Sequence, residues 1–346
     1  GYLIPATLYW IARNSVSKVR DVNWFYGVTI VFSVYLAGMA FFEMAQLWAW
    51  VFPRYIADPG LGIHFGRARG PYLNSVRLGI YLSLALGMTW ITLVWRGVWG
   101  RAGHLLGLGL CTLLAVAISL TYTRSVWLGL GVAGLIVCLL TFRGMPRRTI
   151  IVATLLAATL LAVCGQDLIA FKREFTAQAT AQSTRMRAVF TYVSWLMFQD
   201  RPLTGFGFGH YASQNRPYLN DRSTDLELQS IRGYVHHNTL LSLLVELGLL
   251  GFLPFVLTLM MWSRTAWCLW RDRQAPDWMR GHAVLFLAFS GFMVCQMVFH
   301  DTTYSVVENG AFFCCAGILS GIGSIRGVSF ARPLRWESRQ GQPAAA

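Results

Sequence analysis

Two histidines and an asparagine, His236-His237-Asn238, stand where a long polar stretch gives way to an apolar run of membrane length. Asn238 has the side chain to cap the helix that begins there, which leaves both histidines at the positive end of its dipole. Backbone N–H groups at such an end favour an anion. The same dipole lowers the proton affinity of an imidazole, keeping it neutral and able to take a proton near pH 7, as a general base must. The competing reading of either histidine is an interfacial cap with no chemistry.

The other reactive types on the chain are mostly arginines. Of 29 basic residues only Lys18 and Lys172 are lysines, and the planar guanidinium fork suits phosphate better than a bulk surface charge requires. Genome composition is the alternative source of that bias. In the polar stretch Ser183 can cap a helix whose apolar positions Met186, Val189, Phe190, Val193, Leu196 and Met197 keep a helical period and which ends before Pro202. Arg185 and Arg187 are then expected in its first turn, where cations oppose the dipole unless an anion joins them. Gly205, Gly207 and Gly209 follow in alternation, suited to a sharp turn or a close backbone approach; neither a P-loop nor a Rossmann turn is spelled there.

Glu246 lies nine residues past His237, about 13 Å further along a helix. Direct pairing with the histidine is therefore excluded, and an arginine such as Arg77 or Arg124, or polar backbone, is the expected partner. Gly248 and Gly251 suggest a close helix crossing. His300 and Asp301 stand at another helix end and read as structural. The seven cysteines lie mostly in apolar runs without metal-ligand spacing, so no metal site and no cofactor is expected.

These residues need a membrane scaffold. Hydrophobic residues make up 55% of the chain and charged residues 13%, with mean hydropathy +0.49, which describes an integral membrane protein rather than a soluble domain. Apolar blocks fall at 1–11, 25–52, 75–95, 104–121, 125–142, 149–165, 238–262, 281–299 and 310–325. Their lengths predict an all-α, polytopic transmembrane helical bundle. The short Thr-Arg124-Ser junction makes its two flanking helices an antiparallel pair, and Glu43 and Gln46, inside one block, are expected to face protein or water. The chain opens within an apolar block and without methionine, so earlier spans are expected upstream.

Four segments result: membrane spans over 1–165, a loop domain over 166–237 too long to be a simple connection, further spans over 238–325, and a basic tail over 326–346. The links at Arg13, Arg96, Arg143 and Arg264 and the tail carry three, two, three, four and four basic residues, whereas 300–309 carries none. The first set is therefore placed in the cytoplasm, and the loop domain, both histidines and Arg124 face outward. Positive charge kept on that side suggests a bound anion. No soluble basic domain exists to hold nucleic acid.

The ordered set Thr-Arg124-Ser-Val-Trp-Leu, then Ser-Thr-Arg185-Met-Arg187 leading to Pro202-Leu-Thr-Gly-Phe-Gly-Phe-Gly, then His236-His237-Asn238 with Glu246-Leu-Gly-Leu-Leu-Gly, resembles the Wzy_C signature of the O-antigen ligase and polymerase superfamily, over roughly Arg69 to Phe255. That resemblance implies a bundle of the GT-C type in a bacterial inner membrane and metal-independent, inverting glycan transfer at its periplasmic face in lipopolysaccharide biosynthesis. It implies an undecaprenyl pyrophosphate-linked glycan as donor and, in the ligase branch, a sugar hydroxyl of the lipid A core as acceptor. By the same resemblance His237, with His236 as second choice, is the base. Arg124 and Arg187, with Arg185 beside them, hold the pyrophosphate, and Arg69, Arg77, Glu246 and Asn238 are supporting candidates. The polymerase and protein O-oligosaccharyltransferase branches are alternatives. From another class, a transporter of an anionic lipid could use the arginines without chemistry, but internal repeats and broken spans are not evident in the sequence.

Overall fold

The computed structural model describes residues 2–142 and 177–328, and of 177–184 the backbone alone. The expected block at 149–165, the start of the loop domain and the basic tail lie outside the described residues. Among the described residues nine long helices carry the fold: α1 Leu3–Ser15, α2 Val19–Met44, α3 Ser75–Thr89 continued by a π-helical stretch Trp90–Trp95, α4 Gly100–Ser119, α5 Arg124–Thr141, α6 Ala177–Asp200, α7 Thr239–Arg271, α8 Asp277–Phe299 and α9 Val306–Ile325. Strands are absent among the described residues. Seven of the helices, α2, α3 with its extension, α4, α5, α7, α8 and α9, are long and apolar enough to cross a membrane. The chain is a multi-pass membrane protein built as an all-α helical bundle.

Small residues let the helices approach. Gly317 and Gly321 of α9 lie against the backbone of Tyr9 and Arg13, seating the short α1 in a groove of α9. Gly129 of α5 leaves room for Phe292 and Gln296 of α8, and Gly291 of α8 for Ile136 of α5. One apolar core runs through these contacts, with Phe286, Phe292 and Phe312 fully enclosed. His282, deep in it, is satisfied at both nitrogens by Tyr26 Oη, 2.7 Å, and the carbonyl of Cys315, 3.0 Å.

Boundaries differ from expectation where polar groups reach into the bundle. The second block was expected to run to Phe52, but α2 begins earlier, at Val19, and stops at Met44. Its Glu43 accepts from the backbone N–H groups of Arg69 and Gly70, at 2.9 and 2.7 Å, so the helix end is fastened to the following loop. Gln46 lies beyond the helix in a left-handed conformation. The antiparallel pair about Arg124 is as expected, α4 ending at Ser119 and α5 starting at Arg124.

α6 also starts earlier than the Ser183 cap predicts, at Ala177, so Ser183, Arg185 and Arg187 lie in the helix body and the opposition to its dipole disappears. Its apolar period holds: Val189, Phe190, Val193 and Met197 are buried with Tyr211, Leu219, Leu228 and Ile231 in a small second core, closed from below by Val245 of α7.

The two parts are joined through a break in α7. Gly248 has φ 61° and ψ −167°, and the helical ladder opens around it. The groups released are filled by the loop after α6: Phe206 N–H donates to Val245 O at 3.0 Å and Gly207 N–H to Glu246 O at 2.8 Å, while Leu249 N–H and Leu250 N–H donate to Pro202 O and Leu203 O at 2.8 and 3.0 Å. Gly248 therefore does not mediate the helix crossing expected of it; it breaks the helix so that a loop can complete the ladder, and the Gly251 Cα likewise faces its own helix at Leu247. A Cβ on Gly248 would strike the Leu203 carbonyl, and one on Gly205 the Glu246 backbone. Gly248→Ala is expected to lower stability by about 1–3 kcal/mol, read as a fall in Tm of the purified protein. Gly131→Ala, whose Cβ meets open space on α5, should keep or raise Tm.

Candidate active site

Asn238 caps α7, its Oδ1 accepting from Leu241 N–H at 3.0 Å. The turn before the cap sends the two histidines in different directions. His236 points into the second core and is 2% exposed, edge-on to Tyr211 with ring centroids 4.9 Å apart. Its Nδ1 accepts from the Asn238 N–H at 2.9 Å, which leaves the ring proton on Nε2, donated to Ser194 Oγ at 2.7 Å. Burial, then the neighbouring His237, push its pKa down to about 3. Both nitrogens are occupied, and no face is open to a substrate.

His237 is exposed on the opposite side, its ring edge-on to Phe190 at 5.2 Å. Among the described residues neither of its ring nitrogens has a hydrogen-bond partner. Partial burial and then the charge of Arg187 hold its pKa below the usual histidine value, against an upward pull from Asp301. The imidazole at this end of α7 is available, and its surroundings favour the neutral form.

Arg187 reaches the same place from α6, its guanidinium 5.6 Å from the ring of Phe299 at the end of α8. Desolvation and the charge of Arg124 lower its pKa. Arg185, two residues away and exposed, stands about 200° round the helix from Arg187 and so projects from the other face of α6. Arg124 opens α5, so a second helix N-terminus points at the site. Arg67 completes the group: burial and then Arg124 lower its pKa too. Ala68 N–H bonds to Leu120 O at 3.1 Å, holding the Arg67 loop against the α4–α5 turn. Among the described residues none of Arg67, Arg124 and Arg187 lies within ion-pair distance of a carboxylate, although four other arginines do.

The supporting candidates separate clearly. Arg69 is 1% exposed and donates to the carbonyls of Leu61, Ile56 and Asp58, with Glu43 3.8 Å away, so it pins the loop that carries Arg67. Arg77 pairs with Glu308 of α9 at 3.3 Å. Glu246 pairs with neither Arg77 nor Arg124: its carboxylate accepts from Gly209 N–H at 2.9 Å, Tyr211 N–H at 3.2 Å and the Tyr304 hydroxyl. The glycine turn supplies those donors because Gly205, Gly207 and Gly209 all take positive φ, 64°, 98° and 82°, which packs successive N–H groups towards one anion.

His300 and Asp301, read from sequence as structural, border the cluster. His300 shares a hydrogen bond with Ser125 Oγ at 2.7 Å, and burial followed by Arg187, His237 and His64 pushes its pKa down to about 4. Asp301 is raised by burial and partly lowered again by its neighbours, His237 among them. One of its oxygens accepts from Thr303 N–H at 2.9 Å; the other, Oδ2, has no partner among the described residues. His64 bonds to Ser75 Oγ at 2.8 Å and lies near enough to be felt by His300. Arg67 and His64 escaped sequence reasoning because nothing in a turn-rich link marks which of its cations a fold will turn inward.

The arrangement can bind a multiply charged anion through three arginines and two helix N-termini, beside a neutral imidazole and a carboxylate able to stabilise its protonated form. His236→Ala is expected to cost about 1–3 kcal/mol by orphaning the Asn238 N–H and Ser194 hydroxyl, visible as a lower Tm, whereas His237→Ala should leave Tm within a degree or two of wild type. No curated protein matches the sequence. Residues 109–256 match the Wzy_C family model, described as O-antigen ligase, a span that contains Arg124, Arg187, His237 and the Gly248 break and leaves Arg67, His300 and Asp301 outside it. Over those residues the chain is thus similar to the O-antigen ligase family, which implies a superfamily of glycosyltransferase-like enzymes.

Proposed function

We propose that the protein is an O-antigen ligase, transferring a glycan from undecaprenyl pyrophosphate to a sugar hydroxyl of the lipid A core at the periplasmic face of a bacterial inner membrane. The observation that carries this reading is a chain of neighbouring cations without carboxylate partners among the described residues: Arg124 lies close enough to be felt by both Arg67 and Arg187, and Arg187 by His237. Like charges held together in a partly desolvated place are unfavourable unless an anion joins them, and a pyrophosphate supplies that charge.

In the reaction the acceptor hydroxyl oxygen attacks the anomeric carbon from the face opposite the pyrophosphate. His237 removes the hydroxyl proton as the new glycosidic bond forms. The bond from the anomeric carbon to the pyrophosphate oxygen breaks with its electron pair, giving inversion and a polyprenyl pyrophosphate whose added charge the arginines stabilise. Asp301 faces the imidazolium that results and favours it. His236 holds the turn that aims His237 and takes no part in proton transfer. Arg185 and Arg77 stay outside the site.

The choice of acceptor is tested by reconstitution with a lipid-linked glycan donor and three separate acceptors: lipid A core, a second lipid-linked glycan, and an acceptor protein. Transfer to the core alone supports the ligase; chain extension of the second glycan or modification of the protein assigns the chain to another branch. Donor movement across the membrane with no transfer would make it a transporter.

His237→Ala should abolish transfer in a normally folded protein, and full activity of that variant would remove the base assignment. Arg124→Ala or Arg67→Ala should each raise the donor KM about 10- to 100-fold, the worth of one charge-assisted hydrogen bond. Because the neutral imidazole is the active form and its pKa is depressed below 6.5, the acid-side midpoint of kcat/KM should lie below pH 6.5, with activity falling as pH drops through it. A midpoint above pH 6.5 would contradict the assignment.

A further inference from the structure

The outer end of α8 touches all three helices that carry the site. Phe299, its last residue, lies beside Arg187 of α6, with 5.6 Å between ring and guanidinium. His300, the next residue, reaches the other two. Its Nε2 shares a hydrogen bond with Ser125 Oγ at 2.7 Å, and Ser125 directly follows Arg124 in the first turn of α5. Its carbonyl accepts from Thr239 Oγ1 at 2.8 Å and from Thr239 N–H at 3.3 Å, and Thr239 opens α7 two residues after His237. Thr302 N–H closes the turn on the same Thr239 hydroxyl at 2.8 Å. One residue thus joins, by side chain and by backbone, the arginine that opens α5 to the histidine that precedes α7.

That join is not what seats α5 in the bundle. Gln296 Nε2, one turn back on α8, already donates to the Ser125 carbonyl at 2.8 Å, and Gly129 and Gly291 set the close α5–α8 contact below it. What His300 adds is confined to the helix tips, where the Ser125 hydroxyl and the start of α7 are held a fixed span apart. A cationic side chain in this place would raise the repulsion among the neighbouring arginines. A neutral imidazole ties the tips without adding charge, and burial followed by Arg187, His237 and His64 pushes the His300 pKa down to about 4.

We propose that His300 is a positioning residue that sets the distance between Arg124 and His237 through its bonds to Ser125 and Thr239. It touches no substrate and moves no proton. The proposal rests on the transfer reading given above. Displacement at the anomeric carbon requires the acceptor hydroxyl at the imidazole and the donor pyrophosphate on the arginines to be in register, and an error of about 1 Å there costs about 100-fold in rate. Holding the pyrophosphate alone needs no such register. Loss of the bridge therefore falls on kcat and spares donor KM.

Glycan transfer by the purified full chain, to the acceptor that the reconstitution above identifies, is measured for wild type, His300→Phe, His300→Gln, Ser125→Ala and the Ser125→Ala/His300→Phe double variant, with the Tm and pH profile of each. Phenylalanine keeps a ring and loses the bond, whereas glutamine keeps a side-chain amide for Ser125. His300→Phe and Ser125→Ala should each lower kcat about 10- to 100-fold, with donor KM within about twofold and the acid-side midpoint of kcat/KM unchanged. His300→Gln should recover most of kcat, and the double variant should be no slower than His300→Phe. Should His300→Phe fail to fold, Ser125→Ala carries the same test from the other end of the bond. Wild-type kcat in the single variants, or a donor KM that rises as kcat falls, overturns the positioning role and leaves the assignments of His237 and the arginines intact. A loss as complete as in His237→Ala, with the midpoint gone, overturns it too, because His300 would then be moving the proton. No transfer by wild type to any of the three acceptors overturns the transfer reading and this assignment with it.

Discussion

The structure depends on a helix that is broken so that a loop can mend it. At Gly248 the α7 ladder loses two donors and two acceptors inside a membrane protein, where an unsatisfied backbone group costs several kcal/mol. Backbone from Pro202 to Gly207 restores all four bonds. Glu246, on the turn just before the break, adds three more bonds to the same loop and to Tyr304. A buried carboxylate is tolerable when its oxygens are this fully engaged. The consequence is positional: α6, which ends at this loop, is locked to α7, whose capping residue Asn238 directly follows His237, and Arg187 and His237 keep their relation without touching each other directly.

A second constraint is charge without a counter-ion. Arg69, Arg77, Arg280 and Arg326 all find carboxylates, and the protein uses those pairs to fasten loops and helices. Arg67, Arg124 and Arg187 are held apart from such partners by three different elements, each anchored by other contacts: the Ala68–Leu120 bond, the start of α5, and the second core under α6. The repulsion among them is thus sustained by the fold. In the function proposed above it becomes binding energy when an anion joins the arginines, which would make the site selective for a multiply charged group beside an imidazole whose environment favours the neutral form.

Much of this was legible in the sequence. Apolar block lengths gave the all-α membrane bundle, the residue type at Asn238 gave the cap, and the period from Val189 to Met197 gave the buried face of α6. Helix ends were less legible: Ser183 is a good cap by type, but the helix continues upstream to Ala177 and overrides it. The paired glycines read as a helix crossing because that is their commonest use in membranes; only the tertiary contact with Leu203 shows that Gly248 breaks the helix. Two adjacent histidines are equivalent in a sequence, and the Ser194 and Asn238 bonds that distinguish them arise from distant chain. Arg67 and Asp301 joined the site for the same reason, through long-range packing that no local pattern records.

The central claim is that the three arginines and His237 form one anion site with the imidazole beside the bound group. A cryo-electron microscopy map of the full chain with a polyprenyl pyrophosphate-linked glycan tests it most directly. Two phosphate densities are expected among Arg67, Arg124 and Arg187, with the first sugar facing His237 and His236 still bonded to Ser194. Phosphate density elsewhere on the bundle, or a sugar placed away from His237, would contradict the account.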